Sequence, residues 1–115
     1  MSSRLFAGGS LPTLEAMLTY ASARQKVLAA NIANVDTAGY RTRDLPELDF
    51  RGALERSLRA GPAADAGTVK PNGNNVDLEI EMAKMVRNHA LHSTAASLLA
   101  QQFALLREAV AGHVL

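Results

Sequence analysis

Two histidines, His89 and His92, stand three residues apart in a stretch that reads as helix. On a helix that spacing puts both imidazoles on one face, where they could share a metal ion. Glu81 and His113 lie too far along the same helix to join them, and no His-Glu-x-x-His spacing occurs. A histidine pair on an otherwise apolar seam is read as structural. The carboxylates Asp77, Glu79 and Glu81 suit the dipole at a helix start better than acid–base work. No serine sits in a Gly-x-Ser-x-Gly elbow, and Gly8, Gly9 and Gly73 fit no phosphate-cradling loop. The absence of cysteine excludes a disulfide framework, a thiolate zinc site and a cysteine nucleophile. No catalytic, cofactor-binding or metal-ligating residue is therefore assigned, no cofactor is expected, and the expectation is a protein that is not an enzyme.

The elements around these residues are helical. The chain has 115 residues, enough for one domain spanning 1–115, and is 48% apolar but only 4% aromatic. Alanine and leucine together supply 37 residues, which is the chemistry of helices rather than of sandwiches or barrels. A net charge of +1 argues against a nucleic-acid binder, which would carry a basic excess. No window is apolar enough to span a bilayer, so no direct membrane insertion is expected. The segment Met1–Gly9 breaks into glycines and lacks the continuous apolar core of a cleavable signal peptide.

Three parts follow one another. From about residue 11 to 35, Leu11, Leu14, Leu18, Ala21, Leu28, Ile32 and Val35 recur at alternating gaps of 3 and 4, interrupted only by Gln25. That is the seam of a coiled coil. Residues 36–75 hold three of the four prolines and five of the eight glycines, and predict a mostly irregular linker with one short amphipathic helix over 51–60. From about 76 to 111 a second seam runs through Leu78, Met82, Met85, His89, His92, Ala96, Leu99, Phe103, Leu106 and Val110. Asn74 or Asn75 is the expected N-cap of this helix. The fold class predicted is all-α: two long terminal helices pairing as an antiparallel coiled coil. The residues expected to form the assembly seam are Leu14, Leu18, Leu28, Ile32, Leu78, Met82, Met85, Leu99, Phe103 and Leu106.

Asn88–Leu106 contains no Lys, Arg, Asp or Glu in 19 consecutive residues. A surface helix normally carries a charged face, so a helix without one is expected to be buried on most sides. Two helices cannot surround this segment by themselves, and the expectation is that other subunits do. The second informative stretch is Asn31-Ile-Ala-Asn-Val-Asp-Thr-Ala-Gly-Tyr40, where asparagines can bond the backbone as the helix stops and Gly39 can take the positive φ of a turn.

Leu28–Tyr40 closely resembles the N-terminal signature of bacterial flagellar basal-body rod and hook proteins. Arg41-Thr-Arg-Asp44 and Leu48-Asp-Phe50 look like its continuation in the proximal rod members, and Asn72-Gly-Asn-Asn-Val-Asp-Leu-Glu-Ile-Glu-Met82 resembles the start of their C-terminal helix. The positions matching the family motif are Asn31, Asn34, Thr37, Gly39, Tyr40, Asn75 and Asp77. Ala38 departs from the pattern, which usually has proline there, and loosens the turn before Gly39. The resemblance covers nearly the whole chain and is weakest between Leu54 and Val69. It implies a structural subunit of the proximal rod, at the flagellar basal body and in the periplasm, exported by the flagellar apparatus without a cleaved signal peptide. It implies as partners other flagellar rod subunits, the inner-membrane ring with its adaptor, the flagellar export apparatus, and self-association; nucleic acid is not expected. The competing reading is a soluble helical adaptor or export chaperone that binds one partner through an apolar groove. If the histidines are structural, His89→Ala and His92→Ala should leave swimming largely intact, and metal analysis of the pure chain should find no stoichiometric ion.

Overall fold

A computed structural model of the protein describes residues 10–46, 59, 61–64 and 67–114. Two helices dominate it, α1 (Ser10–Ala33) and α2 (Leu78–Val114), of 24 and 37 residues. Between them lie two short strands, β1 (Arg43–Asp44) and β2 (Ala63–Ala64), paired antiparallel with Arg43 opposite Ala64. The chain is thus mostly helical, but not wholly so: this small two-stranded sheet, formed where Arg43–Asp44 pairs with Ala63–Ala64, corrects the all-α fold class. The short helix expected over 51–60 lies outside the described residues apart from Arg59.

The helices run in opposite directions, since Asn31 meets Glu81 while Asn88 meets Ala21. On α1 the residues buried along the contact are Leu14, Ala21 and Leu28, and on α2 they are Glu81, Asn88 and Ala95. Each set recurs every seven residues, the repeat that keeps one helix facing another over many turns. On α2 this line lies beside the expected seam rather than on it. Leu78, Met82 and Phe103 sit 43%, 53% and 47% exposed. The reason is local: Asn88 and Glu81 reach polar partners on the far helix, and their side chains fix the rotation of α2 about its axis.

The linker covers one face of the helix pair. Leu45 packs with Tyr20 against Ala16, Ala23 and Leu91. The Tyr20 hydroxyl donates to the Pro46 carbonyl at 2.7 Å, so the ring is both buried and satisfied. α1 stops at Ala33 because the backbone tightens into successive turns, with Thr37 N–H on the Asn34 carbonyl and Tyr40 N–H on the Thr37 carbonyl. The N-cap of α2 is Asp77, not Asn74 or Asn75: its carboxylate accepts from the N–H groups of Glu79 and Ile80. Among the described residues no helix is long and apolar enough to cross a membrane.

Ala21 is fully enclosed at the helix contact. Enlarging it to leucine should force the helices apart and cost about 1–3 kcal/mol, read as a lower denaturant midpoint by circular dichroism.

Candidate functional site

The buried centre of this protein is polar. Asn31 is completely enclosed, and its carboxamide makes four hydrogen bonds. Its Nδ2 donates to the Arg43 carbonyl (2.7 Å) and to Glu81 Oε2 (2.9 Å). Its Oδ1 accepts from the Tyr40 hydroxyl (2.9 Å) and the Arg43 N–H (3.1 Å). An asparagine side chain has no further capacity. One residue on α1 therefore holds the linker at two places and α2 at a third.

Around it an ionic chain closes. Arg24 grips Asp44 bidentately, with both contacts at 2.9 Å. Lys84 Nζ lies 3.6 Å from Asp44 and 3.5 Å from Glu81 Oε1. The Asp44 hydrogen bond, and then its charge, raise the Arg24 guanidinium above its ordinary pKa against the opposing effect of burial. A group with a raised pKa contributes stability that is lost only as pH rises through the folded value, so this cation persists across the physiological range. Glu81 lies in the first turn of α2, the expected place for a helix-start charge, but it is only 2% exposed. A carboxylate so enclosed would be costly alone, and Asn31 and Lys84 satisfy both its oxygens.

The two asparagine-rich segments meet at the same end of the molecule. Asn74 Nδ2 donates to the carbonyls of Asn34 (2.8 Å) and Thr37 (2.7 Å), satisfying groups left over as α1 ends. Its Oδ1 accepts from Val76 N–H, two residues ahead of α2, rather than from an N–H of the helix's first turn. Asn75 donates its N–H to the Tyr40 carbonyl and accepts from Thr42 N–H at 2.6 Å. Gly39 N–H donates to the Asn72 carbonyl at 2.9 Å. Gly39 and Gly73 have φ of +75° and +84°, and a Cβ on Gly73 would lie 3.3 Å from the Gly39 Cα. Both turns therefore need glycine for conformation, and Gly73 needs it for space as well.

The expected motif residues are thus largely brought together. Asn31, Gly39, Tyr40 and Asn75 interlock, Asn34 and Thr37 bond each other at the rim, and Asp77 caps α2 beside them. The expected seam residues are more scattered. Leu14 and Leu28 are buried against α2; Leu18, Ile32, Met85, Leu99 and Leu106 are half-buried; Leu78, Met82 and Phe103 face outward. His89 is exposed and His92 half-buried, beside α1. Sequence reading missed Arg24 and Asn88, and did not give Asp44 and Asn74 the partners they have. The type of a charge or amide carries no local sign that its partner lies dozens of residues away.

What this arrangement does chemically is hold backbone in place. Replacing Asn31 by alanine would strand the Glu81 carboxylate and the Arg43 backbone, and should cost on the order of 3–5 kcal/mol. Asn34→Ala, at the wetter rim, should cost about 1 kcal/mol. Paired thermal melts would show the contrast.

Comparison with known proteins agrees with this geometry. The family model for flagella basal body rod protein matches residues 16–41, which contain Asn31 and the turn through Gly39. The flagellar basal body rod protein FlgB of Yersinia enterocolitica is 27% identical over 82% of this chain and 88% of its own length. That of Bacillus subtilis is 25% identical over 90% of this chain and 95% of its own length. That of Escherichia coli is 53% identical over a shorter stretch, 33% of this chain and 25% of its own length. With the matched segment built into the clasp between α1, the linker and α2, and with relatives aligning along most of the chain, the protein belongs to the flagellar basal body rod protein family, a structural family rather than an enzyme family.

Proposed function

We propose that this protein is a non-catalytic structural subunit of the flagellar proximal rod, packing by its helices between the inner-membrane ring and the distal rod and transmitting torque for motility. The observation that carries this reading is the outer surface of α2. Ile80, Met82, Val86, Leu98, Phe103, Leu105 and Val110 are all large, apolar and exposed. From Asn88 to Leu106 the same helix has no charge with which to face water. Such a surface is uncommon on a free-standing monomer and suits one covered by neighbours. The seven-residue recurrence of buried positions on both helices supports a coiled-coil pair as the stiff element.

The partners that follow are other rod subunits, further copies of this chain, the inner-membrane ring with its adaptor, and the export apparatus. The location that follows is the basal body, in the periplasmic rod. The assembly seam proposed comprises Leu14, Leu18, Leu28, Ile32, Leu78, Met82, Met85, Leu99, Phe103 and Leu106. Some of these close the helix pair within one chain, and the outward ones meet neighbours.

A clean deletion should abolish flagella and swimming; normal motility would overturn the reading. A finer contrast tests the surface. Leu99→Asp or Leu106→Asp would bury an unpaired charge, which costs more than the roughly 2–5 kcal/mol of a buried Leu→Ala truncation. Each should block rod assembly in a motility assay, while Asp65→Ala in the linker should not.

A further inference from the structure

Asn72-Gly73, in the turn that leads to α2, is the only Asn-Gly step in the chain. Glycine after asparagine matters chemically because it has no Cβ to shield its nitrogen. That nitrogen can attack the side-chain amide carbon of Asn72. A bond forms between Gly73 N and Asn72 Cγ, and the Cγ–Nδ2 bond breaks. Nδ2 leaves as ammonia, carrying the proton that Gly73 loses. The cyclic imide then takes up water and opens to aspartate, or to isoaspartate, in which the main chain runs through Cβ and Cγ. Water is the only co-reactant, and Asn72 is exposed to it.

What stands in the way is the closed clasp. Lys70-Pro71-Asn72-Gly73 forms a turn in which Gly73 N–H donates to the Lys70 carbonyl at 2.9 Å. An imide nitrogen carries no hydrogen, so the ring cannot form without giving up that bond. Asn72 Oδ1 accepts from Asn74 N–H at 3.1 Å, which holds the side chain. The Asn72 carbonyl accepts from Gly39 N–H at 2.9 Å, which holds the backbone. Lys70 N–H donates to the Asn74 carbonyl at 2.7 Å and ties the turn from its other side. The imide ring also constrains the torsion that sets the Asn72 carbonyl against Gly39. The reaction therefore waits on local opening of the clasp.

The product cannot simply return. In isoaspartate the main chain is one atom longer, and the former Asn72 carbonyl becomes part of a free carboxylate. A single Cβ added to Gly73 would already lie 3.3 Å from the Gly39 Cα. An extra backbone atom has to be fitted at that same contact. We propose that Asn72 is a modification site, at which spontaneous deamidation to isoaspartate is blocked while the clasp is closed and, once it has occurred, bars the clasp from closing. The chain thereby keeps a chemical record of time spent open. This concerns the clasp alone and stands apart from the rod reading.

The test uses the full chain, incubated at mildly alkaline pH with and without guanidinium chloride. Residue 72 is followed by peptide mass spectrometry with electron-transfer fragmentation, which separates aspartate from isoaspartate. Conversion without denaturant should be slower by roughly tenfold or more, because the opening equilibrium sets its rate. The isoaspartyl and aspartyl chains are then separated, refolded and compared by hydrogen exchange of the Gly39 amide. Exchange should quicken by roughly tenfold or more in the isoaspartyl chain and stay near the unmodified rate in the aspartyl chain, which has the same added charge. An Asn72→Ser chain, lacking the amide but able to accept from Asn74 N–H, should pass through the denaturant incubation with Gly39 still protected. Equal conversion with and without denaturant, earlier conversion at another asparagine, or an isoaspartyl chain that protects Gly39 as before would each overturn the proposal. So would loss of Gly39 protection in the treated Asn72→Ser chain, since the damage would then lie elsewhere.

Discussion

The hydrogen bond from the Asn31 carboxamide to the Glu81 carboxylate, 2.9 Å long and sealed from solvent, is the contact on which the rest of the structure depends. It crosses from α1 to α2 and fixes both the distance and the rotation between them. The other three bonds of Asn31 bring in the linker at Tyr40 and Arg43. Because an amide bonds only in set directions, a slip of α1 by one turn would break all four, and a slip of α2 would break the bond to Glu81. Apolar contacts alone would tolerate such a slip, since alanine and leucine pack nearly as well one turn along.

This explains why a small chain with few aromatics has a polar core. Its apolar residues are mostly alanine and leucine, and many of its larger ones face outward on α2. What remains inside is thin, and the fold is specified by saturated amides, a bidentate Arg24–Asp44 pair and the Lys84 bridge. Buried polar groups rarely add much stability over apolar ones, but they penalise wrong registers heavily. A defined register between the helices sets where every outward residue of α2 lands.

The molecule thus divides along its length. At one end α1, the linker and α2 are locked by the asparagine clasp, with glycine turns pressed back to back. Along the rest, α2 carries apolar and uncharged polar surface that is exposed among the described residues. The groove lined by Asn88 joins the two, built by the packing of α1 on α2.

The sequence by itself determined the two helices, their approximate limits, the turn at Gly39, and the family, because periodicity, glycine placement and the Asn31–Tyr40 and Asn72–Met82 segments are local features. It also showed the charge-free stretch of α2. It did not determine which face of α2 meets α1. The 3–4 pattern offers several adjacent apolar lines, and the choice among them falls to Glu81 and Asn88, whose partners are 50 and 67 residues away. Nor did it show that Asn74 bonds the end of α1 rather than capping α2, or that Arg24 and Asp44 pair. A side chain's type announces its capacity for hydrogen bonds; only the folded backbone decides which donors and acceptors come within reach of it.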